Sequence, residues 1–399
     1  MDKVCAFCWD GRTVGTAGFS AFVVGMSVCL VSLVPSLVAA ATGDQERIGP
    51  DRAAYQQAVG RAIGYLQQAQ ARDGSYSSQV GPGVTAIVTT ALLRHGRTPN
   101  DPLVTRSLKY LEGFVHEDGG VYAPGSRLQN YETSLGILCF QLANVDGRYD
   151  EILRRAAAFD KQIQWDQEEG HDESSTSYGG AGYGSHSRPD LSNTSFLVDA
   201  LHAVGTDEDD PALRKALVFV SRCQNLESEH NLTEFAAKVN DGGFYYTPAA
   251  GGTSQAGQTP DGGLRSYGSM TYAGLKSMIY CGVGPDDPRV KAAYQWVQRH
   301  YTLAENPGMG PGMGLDGLYY YYHTFAKALD AIGKDKIVDA DGTPHDWRRE
   351  LAEKLFREQR EDGSWVNTSE RWLEADPNLV TAYSLLSLAY CQPKIVAAP

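Results

Sequence analysis

The chain has 399 residues, 42% of them hydrophobic, enough for one large core or two ordinary domains. A formal charge of −13 excludes a nucleic-acid partner, because no basic stripe exists to neutralise phosphates. Forty-three glycines and 22 tyrosines point to many tight turns and a surface rich in amphipathic rings.

The apolar, small-residue stretch Val14 to Ala41 reads as a secretory signal with cleavage near Ala41. Its length keeps an uncleaved N-terminal membrane anchor open. The expected organisation is therefore a leader over 1–41, a linker over 42–54, a folded body over 55–393 and a tail over 394–399. The expected location is secreted, periplasmic or envelope-anchored, with possible membrane or envelope association. Cys5, Cys8 and Cys29 fall in the leader, where Cys5-x-x-Cys8 lacks the context of a redox or metal site. Cys139, Cys223, Cys281 and Cys391 sit in or at the ends of helical patterns and read as buried thiols.

Beyond the leader one unit recurs: an amphipathic helix, a short Asp-Gly or Gly-Gly loop bearing an aromatic residue, then a more apolar helix. The loops include Asp73-Gly-Ser-Tyr76, Asp118-Gly-Gly-Val-Tyr122, Asp241-Gly-Gly-Phe244 and Asp362-Gly-Ser-Trp365. The amphipathic helices are predicted over Tyr55–Gln70, Leu103–Val115, Tyr149–Ile163, Ala212–Gln224, Arg289–His300 and Trp347–Gln359. Three begin at Asp-Pro (Asp101-Pro102, Asp210-Pro211, Asp287-Pro288), which caps the free amides and presets the backbone. The second helices, Val84–Arg94, Tyr131–Ala143, Ser192–Val204, Ser269–Cys281, Tyr320–Ile332 and Leu379–Cys391, are apolar on most faces and belong to an inner layer. The fold class is all-α, an (α/α)6 toroid of six inner and six outer helices. Two long loops, Asn225–Pro260 and Asn306–Gly314, either lack order or line a mouth, the second as a flexible lead into the fifth inner helix.

Gln70-x-x-x-Gly74-x-Tyr76 and Gln359-x-x-x-Gly363-x-Trp365 resemble the glutamine–tryptophan motif of the prenyltransferase/squalene-hopene cyclase repeat superfamily. The resemblance covers essentially the whole body and implies the toroid rather than a chemistry. In squalene cyclases an Asp-x-Asp-Asp-Thr segment at an inner-helix start supplies the acid that protonates the polyene. Asp190-Leu-Ser-Asn-Thr194 fits that frame, but Ser192 and Asn193 replace two aspartates, and a serine cannot act as a strong acid. The same segment also reads as a helix start capped by Ser192 or Asn193. Asp207-Glu-Asp-Asp210 matches the letters of the motif yet precedes Pro211, so it reads as an ordinary outer-helix start. The zinc-dependent prenyltransferases of the superfamily carry a His where Tyr322-His323-Thr324 stands. Tyr267 and Ser269 occupy the positions of their Asp and Cys ligands, so no metal and no cofactor is expected.

Inner-helix N-termini are expected to converge on one end of the toroid, making it mildly electropositive. Glu132, Asp190 and His323 are the acid–base candidates there. Asn193, Thr194, Tyr131, Tyr267, Tyr272 and Tyr322 are the expected ligand-binding residues, the tyrosines offering faces for an isoprenoid, a carbocation or a sugar ring. Each acid–base candidate has a bland alternative: a first-turn acid for Glu132, a loop cap for Asp190, a carbonyl-bonded histidine for His323. Three functions remain open at this point. The first is a cyclase-like protein holding an apolar or isoprenoid ligand with a degenerate acid motif. The second is a secreted polysaccharide hydrolase or lyase. The third is a non-catalytic envelope module binding a glycan or another protein.

Overall fold

The computed structural model describes residues 45–184 and 187–397. The leader expected over 1–41 lies outside the described residues. Six amphipathic helices form an outer layer: α1 (Arg52–Ala69), α3 (Pro102–Glu112), α5 (Asp150–Gln162), α7 (Pro211–Arg222), α10 (Pro288–Arg299) and α12 (Trp347–Glu358). Six others, α2 (Gly83–Arg94), α4 (Gln129–Ala143), α6 (Leu191–Ala203), α9 (Gly268–Tyr280), α11 (Leu318–Ile332) and α13 (Pro377–Tyr390), pack in that sequence, and α13 closes on α2. The chain is an α/α toroid. A single-turn helix, α8 (Ala236–Val239), interrupts the loop after α7.

Burial follows the sequence pattern. In α3 only Leu103, Val104, Ser107, Leu108 and Leu111 are buried, the stripe of a surface helix. In α9 every residue from Gly268 to Met278 is buried, as an inner helix enclosed on all sides requires. Asp101, Asp210 and Asp287 each accept a main-chain N–H two residues on, with Pro at the first helical position. Asp210 therefore does the structural work expected of that segment. The same device also starts the inner helix α13, at Asp376-Pro377. Asp-Pro alone therefore does not mark an outer helix.

Two side-chain ties repeat around the ring. Gln359 donates to Gly363 O and to Ala58 O of α1, both at 2.9 Å, which fastens the last outer helix to the first. Gln70 makes the matching pair with Gly74 O and Leu103 O. Gln164 bonds Gly179 O and Ala212 O, and Gln224 bonds Gly242 O and Arg289 O. These last two belong to the same motif, hidden in sequence because loop insertions separate each Gln from its Gly. The tie requires glycine: Gly74 and Gly242 take φ +92° and +84°, and a Cβ there would come within 2.6 Å of the next outer helix's carbonyl. The second tie is a buried threonine near five of the six inner-helix starts. The hydroxyls of Thr85, Thr133, Thr194, Thr271 and Thr381 accept the main-chain N–H of Tyr76, Val121, Ala181, Phe244 and Trp365 at 2.9–3.1 Å.

Short ribbons add to the all-helical expectation. Strand β1 (Gln45–Ile48) pairs antiparallel with β4 (Lys394–Ala397), joining parts of the expected linker and tail, and β2 (Ile337–Val338) pairs with β3 (Pro344–His345). The Asn306–Gly314 loop is not a loose lead. Asn306 N–H bonds Gly314 O, and its side chain accepts Ser269 N–H at 2.9 Å, capping α9. Cys139, Cys223, Cys281 and Cys391 are buried free thiols.

Candidate functional site

The threonine tie sets the inner-helix register. A residue two positions before it on a helix points to the opposite side, about 200° away. Gly83, Tyr131, Ser192, Ser269 and Leu379 occupy that position, and all five line one cavity of about 480 Å³ at the N-terminal ends of the inner helices. Tyr320 supplies the α11 contribution. Phe196 and Tyr383, one turn deeper, and Val84, Met270, Tyr183, Tyr246 and Tyr267 complete an aromatic and aliphatic wall. Tyr131 packs edge-on against Phe196, with ring centroids 5.2 Å apart. The hydroxyls of Ser192 and Tyr320 meet at 2.9 Å across the lumen.

Of the acid–base candidates, Glu132 lines the cavity and is buried. Its Oε2 accepts Ala123 N–H at 3.0 Å, and burial pushes its carboxyl above the usual range against that bond. Asp190 lies behind the wall. It caps α6, its two oxygens accepting Asn193 N–H at 2.9 Å and Asn193 Nδ2 at 2.7 Å. Burial raises Asp190 to about 6, opposed by the Asn193 bonds, Tyr246 and Arg188. The cap at this helix is thus Asp190, in place of the expected Ser192 or Asn193. His323 is partly buried and stacks on Tyr383 with centroids 5.9 Å apart. Its Nδ1 has no hydrogen-bond partner among the described residues, so the expected carbonyl bond to that nitrogen is absent. Burial, then Lys327, holds its imidazole well below the ordinary value. The three candidates do not share one surface.

The expected ligand-binding residues divide in the same way. Tyr131 and Tyr267 line the cavity. Thr194 is committed to the repeat tie and donates to Asp190 O at 2.7 Å. Asn193 is committed to Asp190, with its Oδ1 left unpartnered among the described residues. Tyr272 is wedged between α9 and α11 against Tyr321 and Phe325. Tyr322 points outward, its hydroxyl donating to Leu303 O at 2.7 Å. Among the described residues of the Tyr319–Tyr322 run, the lining residue is Tyr320.

The sequence reading passed over Glu374, Trp372 and Leu373, which come from the loop before α13 and line the same cavity. Glu374 accepts Tyr319 N–H at 3.2 Å, Tyr320 N–H at 2.8 Å and Asn367 Nδ2 at 2.6 Å, so it caps α11. Burial pushes it up to about 7 despite those donors. Trp372 and Leu373 hold φ of +55° and +64°, a left-handed conformation that costs about 1–3 kcal/mol for each such residue. Both are exposed, at 42% and 49%. Arg371 sits 4.3 Å over the Trp372 ring and bonds Asp316 and Gln255, tying this loop to the insertion after α7. No local motif marks these residues in sequence. Among the described residues no three His, Cys, Asp or Glu side chains group to hold a metal ion, and no helix is long and apolar enough to cross a membrane.

No protein-family model matches the chain, and no curated protein matches it. Solved structures do. A family 76 glycoside hydrolase from a bovine Bacteroides thetaiotaomicron strain is 12% identical over 84% of this chain and 78% of its own, with a TM-score of 0.52. The type II terpene cyclase MstE from Scytonema is 15% identical over 85% of this chain and 98% of its own, with a TM-score of 0.49. At such identity the likeness is one of fold.

Proposed function

We propose that the upper lumen binds an apolar, isoprenoid-like small molecule. The observation that carries this reading is the wall of the 480 Å³ cavity: six tyrosines, Phe196, Met270 and several aliphatic residues among the described residues. Its volume falls within the usual range for small-molecule sites, and such sites are mostly apolar with a few placed polar groups. Ser192, Tyr320 and Glu132 are those groups here. The apolar leader supports placing the protein outside the cytoplasm, in the envelope or beyond it.

Proton-initiated cyclisation is not part of the proposal. Asp190, the retained acid of the cyclase-like segment, spends both oxygens on Asn193 and does not line the cavity. A glycan-active reading is favoured by one observation, that two carboxyls, Glu132 and Glu374, line a single cavity, as a glycosidase pair must. Both are held by main-chain N–H groups, which leaves the apolar reading ahead. Thermal shift with squalene and with an acidic oligosaccharide separates the two. Stabilisation by squalene alone is expected. Stabilisation by the oligosaccharide alone overturns the reading.

A further inference from the structure

Below the cavity the facing sides of the inner helices change from apolar to charged. Ser192, Ser269 and Tyr320 line the cavity on α6, α9 and α11. Seven residues on, two helical turns and about 10 Å deeper on the same faces, stand Asp199, Lys276 and Lys327. They are 5%, 2% and 7% exposed. Lys276 Nζ lies 2.5 Å from Asp199 Oδ1 and 2.8 Å from Ser195 Oγ, and Lys327 Nζ lies 2.6 Å from Asp199 Oδ2. In the ring, α9 stands between α6 and α11, so the Lys327–Asp199 bond crosses the lumen rather than joining neighbours.

Two ammonium groups share one carboxylate, leaving one positive charge in excess inside a protein of formal charge −13. Burying an uncompensated charge is costly, since the interior neither solvates nor screens it. Lys276 has Ser195 besides Asp199, whereas Asp199 is the hydrogen-bond acceptor of Lys327 among the described residues. One turn above Lys327 on α11, His323 holds an unpartnered Nδ1. Its ring lies near Tyr390 and stacks on Tyr383, which lines the cavity. The Tyr383 ring therefore borders both the cavity and His323.

We infer that this cluster receives the anionic head of the lumen's ligand, and that the ligand is an apolar chain ending in a carboxylate. The inference rests on the apolar-ligand reading and names its substrate class. A monoanion matches the single excess charge, with Lys327 Nζ and His323 Nδ1–H as donors to it. The same floor disfavours a carbocation in the lower lumen, because the charges are alike.

Calorimetric titration of the protein with a C15 isoprenoid acid, the corresponding alcohol and the corresponding diphosphate tests this. The acid is expected to bind about tenfold to a hundredfold tighter than the alcohol, the size of a charge-assisted hydrogen bond. Lys327→Met leaves Asp199 and Lys276 as a neutral pair and is expected to erase that advantage. Lys327→Arg keeps it. Equal binding of acid and alcohol by the unmodified protein overturns the inference and leaves the apolar-ligand reading standing. So does preference for the diphosphate, or an advantage that survives Lys327→Met. Binding of none of the three overturns both.

Discussion

At the mouth of the lumen the inner helices present Tyr131, Ser192, Ser269 and Tyr320 to a cavity. Two turns deeper, α6, α9 and α11 present Asp199, Lys276 and Lys327 to one another. The helices and faces are the same, and the two levels differ in what each residue does for the fold. The mouth carries side chains whose polar atoms are few and whose space is open. The floor is filled by charges that hold each other. A toroid closed by glutamine and threonine ties outside its lumen is free to vary both levels, which is how one scaffold accommodates different contents.

The sharpest way to break the comparison is at the floor. Asp199→Asn leaves two buried lysines without a counter-charge and is expected to destabilise by about 3–5 kcal/mol, read from the urea midpoint. A loss below about 1 kcal/mol would mean the lysines find other partners or lose their protons.

At the mouth the largest effect is expected from pH. The folded-state value of Glu374 is raised to about 7 by burial, so the native protein keeps a proton that the unfolded chain has already released. Stability from this group is full at pH 4.5 and below, and falls as pH rises towards 7, by about 3 kcal/mol. Asp190, raised to about 6, acts in the same direction at lower pH. Glu374→Gln should flatten the fall between pH 6 and 7 in urea unfolding at several pH values. An unchanged slope would remove Glu374 as its source.

A smaller contrast separates tie from lining within one segment. Thr194→Val leaves Ala181 N–H unsatisfied and should cost about 1–3 kcal/mol, whereas Ser192→Ala should cost less than about 1 kcal/mol. Equal losses by thermal unfolding would show that Ser192 is as structural as its neighbour.

The toroid was legible in the sequence because its signals are local: Asp-Pro starts, apolar inner helices and Gly-x-aromatic turns. Half of the glutamine ties were not, since 15 and 18 residues separate Gln164 from Gly179 and Gln224 from Gly242. The site was legible only in part. Tyr131 and Glu132 fall on the cavity wall because lining residues crowd the helix starts. Thr194 spends its hydroxyl on the threonine tie, whose repeat shows only when the inner helices are aligned. Glu374 and Trp372 come from a loop whose path depends on tertiary contacts. Asp199, Lys276 and Lys327 were in plain view as charges inside apolar helices, and their common seven-residue offset was the signal.

The central claim is that the mouth cavity holds the ligand, and filling it is the direct test. Ser192→Trp projects an indole from the lining position into that space, and its melting temperature checks that the protein remains folded. Calorimetric titration with the C15 alcohol is expected to show binding to the unmodified protein and at least tenfold weaker binding to Ser192→Trp. Equal affinity for the two proteins would contradict the account.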